Sequence, residues 1–229
     1  MYTNIFFDLD HTLWDFERNS RETLEELFFE FGLNDILNVP VNAFIELYEH
    51  ENKLLWMDHL RGEISREFLR YERFRKTLGK FEVSDEPLIE GVADYYLEKS
   101  PRKTNLFPGA IPVLENLFEK YDLHIITNGF SMVQYTKIEE SKLSKYFKNI
   151  ITSEIAGANK PDKIIFEYAL RKASAKSSQS LMIGDTFHAD ILGAKSIGMD
   201  QVWFNPNKLV EESKPTYEIN HLEELLKIL

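Results

Sequence analysis

Two aspartates one residue apart, Asp8 and Asp10, stand directly behind the apolar run Ile5-Phe6-Phe7. Two acids at i and i+2 in a loop can converge on one ligand. A polar turn with an Asp cap is the competing account of the pair taken alone. Three further clusters share its placement. Thr127-Asn128-Gly129 closes the run Leu123-His124-Ile125-Ile126. A hydroxyl, an amide and a flexible backbone there can donate hydrogen bonds to phosphate oxygens, although Asn-Gly is also a common turn dipeptide. In Asn159-Lys160-Pro161-Asp162 the proline reads as the first helical position. That puts the Lys160 cation at a helix entrance, where the helix dipole also favours anions, with a surface lysine in a turn as the alternative. Gly184-Asp185-Thr186-Phe187-His188-Ala189-Asp190 follows Leu181-Met182-Ile183. Its Asp185 and Asp190 suit Mg²⁺, which takes a few carboxylates plus water and phosphate, and helix capping is the other use of such residues.

These clusters need strands to carry them. Short apolar runs predict strands over 4–7, 123–127, 149–153, 181–184 and 201–204, each closed by polar or turn-forming residues. Helices are expected between them over 109–120, 132–143, 161–173 and 189–197, with a last one over 222–229. The alternation predicts an α/β fold: a Rossmann-like three-layer core with a mainly parallel sheet. In open parallel sheets ligands bind beyond the carboxyl ends of strands, which is where the clusters fall.

The stretch 16–100 has helical spacing and no convincing strand, so an all-helical domain is expected there, inserted into a core made of 1–15 and 101–229. Asn19 with Glu22 reads as a capping box opening a helix to Phe31, with Gly32 as its stop. Pro40 precedes a helix over 41–60, Ser65 caps one over 66–78, and Asp85 with Pro87 opens one over 88–98.

Composition narrows the partners. A net charge of −11 over 229 residues disfavours nucleic acid polymers, whose binding depends on phosphate neutralisation by Lys and Arg. A small anionic substrate would need local positive charge. There is no cysteine, which excludes disulfides, thiolate metal sites and a catalytic thiol. A cytoplasmic location fits, and no signal sequence or membrane span is expected. The six histidines show no metal-ligand spacing. Nothing decides between monomer and homodimer.

Taken in order, the Asp pair, Thr-Asn-Gly, Lys-Pro and Gly-Asp…Asp resemble the haloacid dehalogenase superfamily, whose signature is a nucleophile loop, Ser/Thr, Lys and an acidic metal site. The resemblance spans the chain and includes a helical cap inserted just after the first motif. It implies that Asp8 attacks phosphorus to form a phosphoenzyme and that Asp10 protonates the leaving oxygen and then activates water. It also implies Mg²⁺ held by Asp8, Asp185 and the Asp10 carbonyl with Lys160 opposite, transferring oxygens held by Thr127, Asn128 and Gly129, and Asp190 orienting water or Lys160. A carboxylate about 4 Å from a phosphate dianion meets repulsion on the order of 8 kcal/mol at an effective dielectric near 20. Uncompensated, that costs roughly six decades in rate, so the cations are needed.

The resemblance also separates chemistries. Members that dehalogenate lack the acid at the Asp10 position, since a halide leaves without a proton. Within the cap, Asn52-Lys53-Leu54-Leu55-Trp56-Met57-Asp58 and Gly62-Glu63-Ile64 look like the bacterial pyrimidine nucleotidase subgroup. So do Thr127-Asn128-Gly129-Phe130 and Lys160-Pro161-Asp162-Lys163-Ile164-Ile165-Phe166. The expected activity is thus a 5′-nucleotidase acting on pyrimidine nucleoside monophosphates, with a sugar phosphate phosphatase or phosphomutase as alternative. A phospho-receiver module is disfavoured, because in receivers the acid pair precedes the phosphorylated Asp.

Overall fold

The computed structural model describes residues 1–229, which divide into two compact units: Met1–Phe16 with Thr104–Leu229, and Glu17–Lys103. After strand β1 (Asn4–Phe7) come five helices, α1 (Phe16–Glu30), α2 (Leu33–Leu37), α3 (Val41–Leu60), α4 (Arg66–Gly79) and α5 (Glu86–Lys99). The chain then alternates through α6 (Ala110–Phe118), β2 (Asp122–Thr127), α7 (Ser131–Glu140), β3 (Phe147–Thr152), α8 (Ser153–Ala156) and α9 (Lys163–Ala173). Next are β4 (Ser180–Gly184), a turn of helix over Phe187–Leu192, α10 (Gly193–Lys195), β5 (Asp200–Phe204), β6 (Tyr217–Ile219) and α11 (Leu225–Ile228).

All six strands are parallel, in the order β3-β2-β1-β4-β5-β6. Strands that are apolar at every position must be covered on both faces, and alternation assigns the faces. Ile5, Phe7, Ile125 and Ile183 enter a core with Val113, Leu114 and Leu117 of α6, whereas Phe6, Ile126 and Met182 enter one with Ile165, Phe166 and Ala169 of α9. This is a three-layer α/β core. Strand order reverses at β1, which pairs with both β2 and β4, so the crevice for a ligand opens where Asp8 emerges.

The helical unit has its own core, in which Leu24, Leu27 and Phe28 of α1 meet Phe44 and Tyr48 of α3, Phe74 and Leu78 of α4, and Ile89, Val92 and Tyr96 of α5. Caps set its helix starts: Ser65 Oγ accepts from Phe68 N–H at 3.1 Å and Asp85 Oδ1 from Leu88 N–H at 3.1 Å. Gly32 stops α1's chain direction with φ 62, a left-handed turn that glycine adopts without strain.

Several expectations give way. Asn19 is no cap, because α1 begins at Phe16 and Asn19 lies inside it, fully buried, its carbonyl accepting from Thr23 Oγ1 at 2.8 Å. Asp162, rather than Lys160-Pro161, opens α9, its Oδ1 accepting from Ile164 N–H at 2.9 Å. The helix expected over 189–197 begins earlier as a wide π-type turn at Phe187. Strand β6 and helix α2, at 3 and 5 residues, are too short to leave a periodic signal.

Candidate active site

Three strand ends and one loop build the site. Parallel register sets Phe7 beside Ile125 and Ile183, so Asp8 and Asp185, just beyond β1 and β4, emerge at the same sheet end as Thr127, the last residue of β2. The chain behind β1 turns tightly, the Leu9 carbonyl accepting from the N–H groups of Leu13 at 3.0 Å and Trp14 at 2.8 Å. His11 takes a left-handed φ of 63 in that turn, and Asp10 pairs as an isolated bridge with Trp14.

Lys160 is the hub. It is only 4% exposed, and its ammonium donates to Asp8 Oδ1 at 2.5 Å, Asp190 Oδ1 at 2.6 Å and the Ile126 carbonyl at 2.9 Å. A lysine has three such donors, so the side chain is a buried cation with every donor engaged, not a surface charge at a helix entrance. Asn128 fixes it there: its Oδ1 accepts from Lys160 N–H at 2.7 Å and its Nδ2 donates to the Lys160 carbonyl at 3.0 Å. The Asn128 carboxamide therefore serves the lysine loop, and it is the Thr127 hydroxyl that retains a proton to donate, since its Oγ1 accepts from Gly129 N–H at 3.1 Å.

Asp190 has both oxygens occupied, one by Lys160 and the other by Thr186 N–H at 3.0 Å. Asp185 accepts from Thr12 Oγ1 at 3.2 Å through Oδ1 and from Thr186 Oγ1 at 3.3 Å through Oδ2. Its carbonyl is pinned by Trp203 Nε1 at 2.8 Å. Asp10 points to α7, where Lys137 donates to its Oδ1 at 2.6 Å and Gln134 to its Oδ2 at 2.9 Å.

Electrostatics follow from this packing. Burial pushes the Asp8 carboxyl up to about 7, against the pull of Lys160, and burial with the nearby Asp8 raises Asp185 to about 6. Burial likewise raises Asp190. For Lys160 burial opposes the charge, but Asp190 and Asp8 outweigh it and hold the ammonium well above the usual lysine range. For Asp10 burial is overcome by Lys137 and Gln134, which keep it below the ordinary carboxylate range.

The carboxylate oxygens of Asp8, Asp185 and Asp190 lie within 4.8 Å of one another. Two buried carboxyls and a half-buried one stand against one ammonium, with burial raising the proton affinity of each; they form a hard oxygen-donor set one cation short. That fits Mg²⁺. With both Asp190 oxygens engaged, Asp8 and Asp185 are the carboxylates that could hold it.

The structure thus brings together Asp8, Thr127, Lys160, Asp185 and Asp190. Gln134, Lys137 and Thr12 had no part in the expected site. The signal for the first two was a Gln and a Lys three apart on the helix that follows Thr-Asn-Gly, where helical geometry puts both on one face.

The model of the haloacid dehalogenase-like hydrolases matches residues 5–204. The pyrimidine 5′-nucleotidase PynA of Streptococcus pneumoniae is 33% identical over 233 residues, covering 100% of this chain and 95% of its own. A glyceraldehyde 3-phosphate phosphatase of Methanothermobacter thermautotrophicus is 32% identical, covering 97% of this chain and 94% of its own. The magnesium-bound crystal structure of YfnB from Bacillus subtilis is similar with a TM-score of 0.86 at 32% identity, over 99% of this chain and 98% of that one.

Proposed function

The chain belongs to the haloacid dehalogenase-like hydrolases, and from that premise we propose that it is a Mg²⁺-dependent phosphomonoesterase working through a phosphorylated Asp8. The observation that carries this reading is the meeting of Asp8, Lys160, Asp190 and Asp185 behind adjacent parallel strands, with a second carboxylate, Asp10, two residues beyond the first. Asp8, Asp185 and the Asp10 carbonyl would hold Mg²⁺, which when bound neutralises charge on the phosphoryl oxygens.

Asp8 presents a carboxylate oxygen to phosphorus while Lys160 fixes the other and offsets its charge. The O–P bond to Asp8 forms as the ester O–P bond breaks, and Asp10 gives its proton to the departing alkoxide. In the second half Asp10, now a carboxylate, takes a proton from water. The water oxygen bonds to phosphorus and the Asp8–phosphate bond breaks, releasing phosphate and restoring both groups. Held by Lys137 and Gln134, Asp10 is ionised in the resting fold, so it takes up one proton from solvent as the phosphate dianion binds beside it. It gives that proton to the alkoxide, regains one from water in the second half, and returns it to solvent as phosphate leaves. The Thr127 hydroxyl, held by the Gly129 N–H, donates to the transferring oxygens.

The substrate class we favour is pyrimidine nucleoside monophosphates, supported by the helical-unit motif 52–58 and by the similarity to PynA. The test is phosphate release with Mg²⁺ from UMP, dUMP and dTMP set against glyceraldehyde 3-phosphate and other sugar phosphates. Asp8→Asn should lower kcat at least about 10³-fold; a variant that keeps its activity overturns the mechanism. A sugar phosphate exceeding every nucleotide in kcat/KM overturns the substrate assignment and leaves the mechanism standing.

A further inference from the structure

Helix α7 carries two polar side chains that its amphipathic neighbours would bury, Gln134 at 1% and Lys137 at 3% exposure. Spaced i and i+3, they point the same way, and both end on Asp10, one on each carboxylate oxygen. The Lys137 ammonium also lies over the Trp14 ring at 4.2 Å from its centroid and the Phe16 ring at 5.3 Å. It is thus caged between two aromatic faces and one carboxylate. Trp14 itself is tied to the loop, bridging to Asp10 on one side and Leu106 on the other.

The fold gives up something for this arrangement. Gln134 Oε1 is buried with no hydrogen-bond partner, so the amide accepts an orphaned oxygen in order to aim its NH₂ at Asp10. Gly129 makes the room: a Cβ there would collide with the Gln134 carboxamide. An ion pair that served packing alone would need neither an orphaned acceptor nor a glycine opposite it. Replacing a buried pair by apolar groups is often neutral for stability, so stability does not explain its presence.

We infer that Lys137, with Gln134, is a positioning residue for the phosphoryl-transfer reaction: it locks the Asp10 carboxylate in the one orientation from which a proton can pass to the leaving oxygen and later be taken from water. The inference rests on the phosphomonoesterase reading above and concerns residues outside its four motifs. Lys137 bonds Asp10 and acts on the ester only through it. In kcat/KM, which reports the steps up to phosphoenzyme formation, its effect must therefore appear in esters whose alcohol leaves poorly without a proton; the water step that all esters share enters kcat alone.

The experiment compares kcat/KM, with Mg²⁺ present, for an alkyl phosphate and for 4-nitrophenyl phosphate, whose phenolate departs without help. UMP serves as the alkyl ester, or glyceraldehyde 3-phosphate if UMP is not turned over. Lys137→Met should lower kcat/KM for the alkyl ester about 10²-fold or more, the range of general acid catalysis, and for the aryl ester by less than about tenfold. Because the chain has no cysteine, Lys137→Cys aminoethylated in denaturant and refolded restores an ammonium at that position alone, and the alkyl-ester activity should return. Equal losses on both esters, or no loss on either, overturn the inference, as does failure of the aminoethylated protein to recover while it refolds. Gln134→Leu provides the same comparison if Lys137→Met does not fold.

A second arm is independent of turnover. Crystal structures of wild type and Lys137→Met with Mg²⁺ should show the Asp10 carboxylate displaced in the variant; an unmoved carboxylate overturns the inference. A wild type inactive on both esters counts against the phosphomonoesterase reading, and the crystallographic arm then decides the positioning role by itself.

Discussion

Gly184 has no side chain, and the carboxylate of Asp190 occupies the space where one would stand. The close approach lets Asp190, 1% exposed, reach Lys160 from the turn behind β4 while Thr186 N–H holds its other oxygen. Gly184→Ala should therefore push Asp190 off Lys160. Overpacking of this kind costs about 1–3 kcal/mol, and with Lys160 no longer held on both sides kcat should fall by more than the stability loss explains. Urea unfolding and steady-state kinetics on the same preparation check both; an alanine variant with wild-type kcat would mean that the Lys160–Asp190 pair is dispensable. Asp8, Thr127, Lys160 and Asp185 were legible in the sequence because each stands at the end of an apolar run or beside a proline, and Asp190 because it is the second acid of the cluster that Asp185 opens. Gln134 and Lys137 were not, since a polar residue on an amphipathic helix reads as solvated until the fold shows which face is covered. Lys160 was legible as a cation but not as a buried one, because the register that sets Asp8 beside β4 is a long-range pairing.

At the scale of elements, the sheet has a polar seam inside its apolar layers. His124, in the middle of β2 and 1% exposed, stacks on Phe6 of β1 with centroids 4.7 Å apart. Its Nε2 pairs with Asn4 Oδ1 at 3.1 Å and its Nδ1 with Asn149 Nδ2 at 2.9 Å. An amide N–H can only donate, so Nδ1 accepts and Nε2–H donates, which is the neutral imidazole. Burial holds His124 down to about 4, against the pull of Asp122. A folded pKa below the unfolded value near 6.5 gives stability that is present above that value and lost as pH falls through 4. The loss is on the order of 3 kcal/mol. Comparing wild type with His124→Asn by urea unfolding at pH 7 and pH 4 isolates it, because all other groups cancel in the difference; a pH-independent difference would show that the ring is not held neutral. Strands β1, β2, β4 and β5 were legible because burial on both faces makes most of each an apolar run, and the edge strand β3 was legible from its apolar end at Ile150-Ile151 alone. The short edge strand β6 was not, nor the start of α1, where buried Asn19 mimics a cap, nor the wide turn at Phe187, whose i+5 spacing leaves no apolar period. No helix is long and apolar enough to cross a membrane.

At the scale of the whole molecule, a chain of net charge −11 repels a phosphate dianion and attracts a divalent cation, and the acidic cluster concentrates that preference. Unfolded, Asp8 and Asp185 ionise near 3.9; folded and without metal, they titrate at about 7 and about 6. A raised folded value means that the folded state binds more protons across that window. The stability these carboxyls contribute is thus greatest below 3.9 and falls as pH climbs through 6 and 7. Lys160, held above the usual lysine range, and Asp10, held below the carboxylate range, keep their charges from pH 5.5 to 7.5 and add no slope there. On the proposed function Mg²⁺ would bind the ionised carboxylates only, so its binding would expel the retained protons. Its apparent affinity should rise between about tenfold and a hundredfold from pH 5.5 to 7.5 and level off above, and the increase in Tm at a fixed Mg²⁺ concentration should follow the same course. Titration calorimetry in buffers of different ionisation enthalpy counts the protons directly. Proton release should fall towards zero above pH 7.5 in wild type and be smaller in Asp185→Asn at every lower pH. A Mg²⁺ affinity that is flat across this range would mean that Asp8 and Asp185 are already ionised in the metal-free fold, and that the excess charge is relieved by something other than a proton.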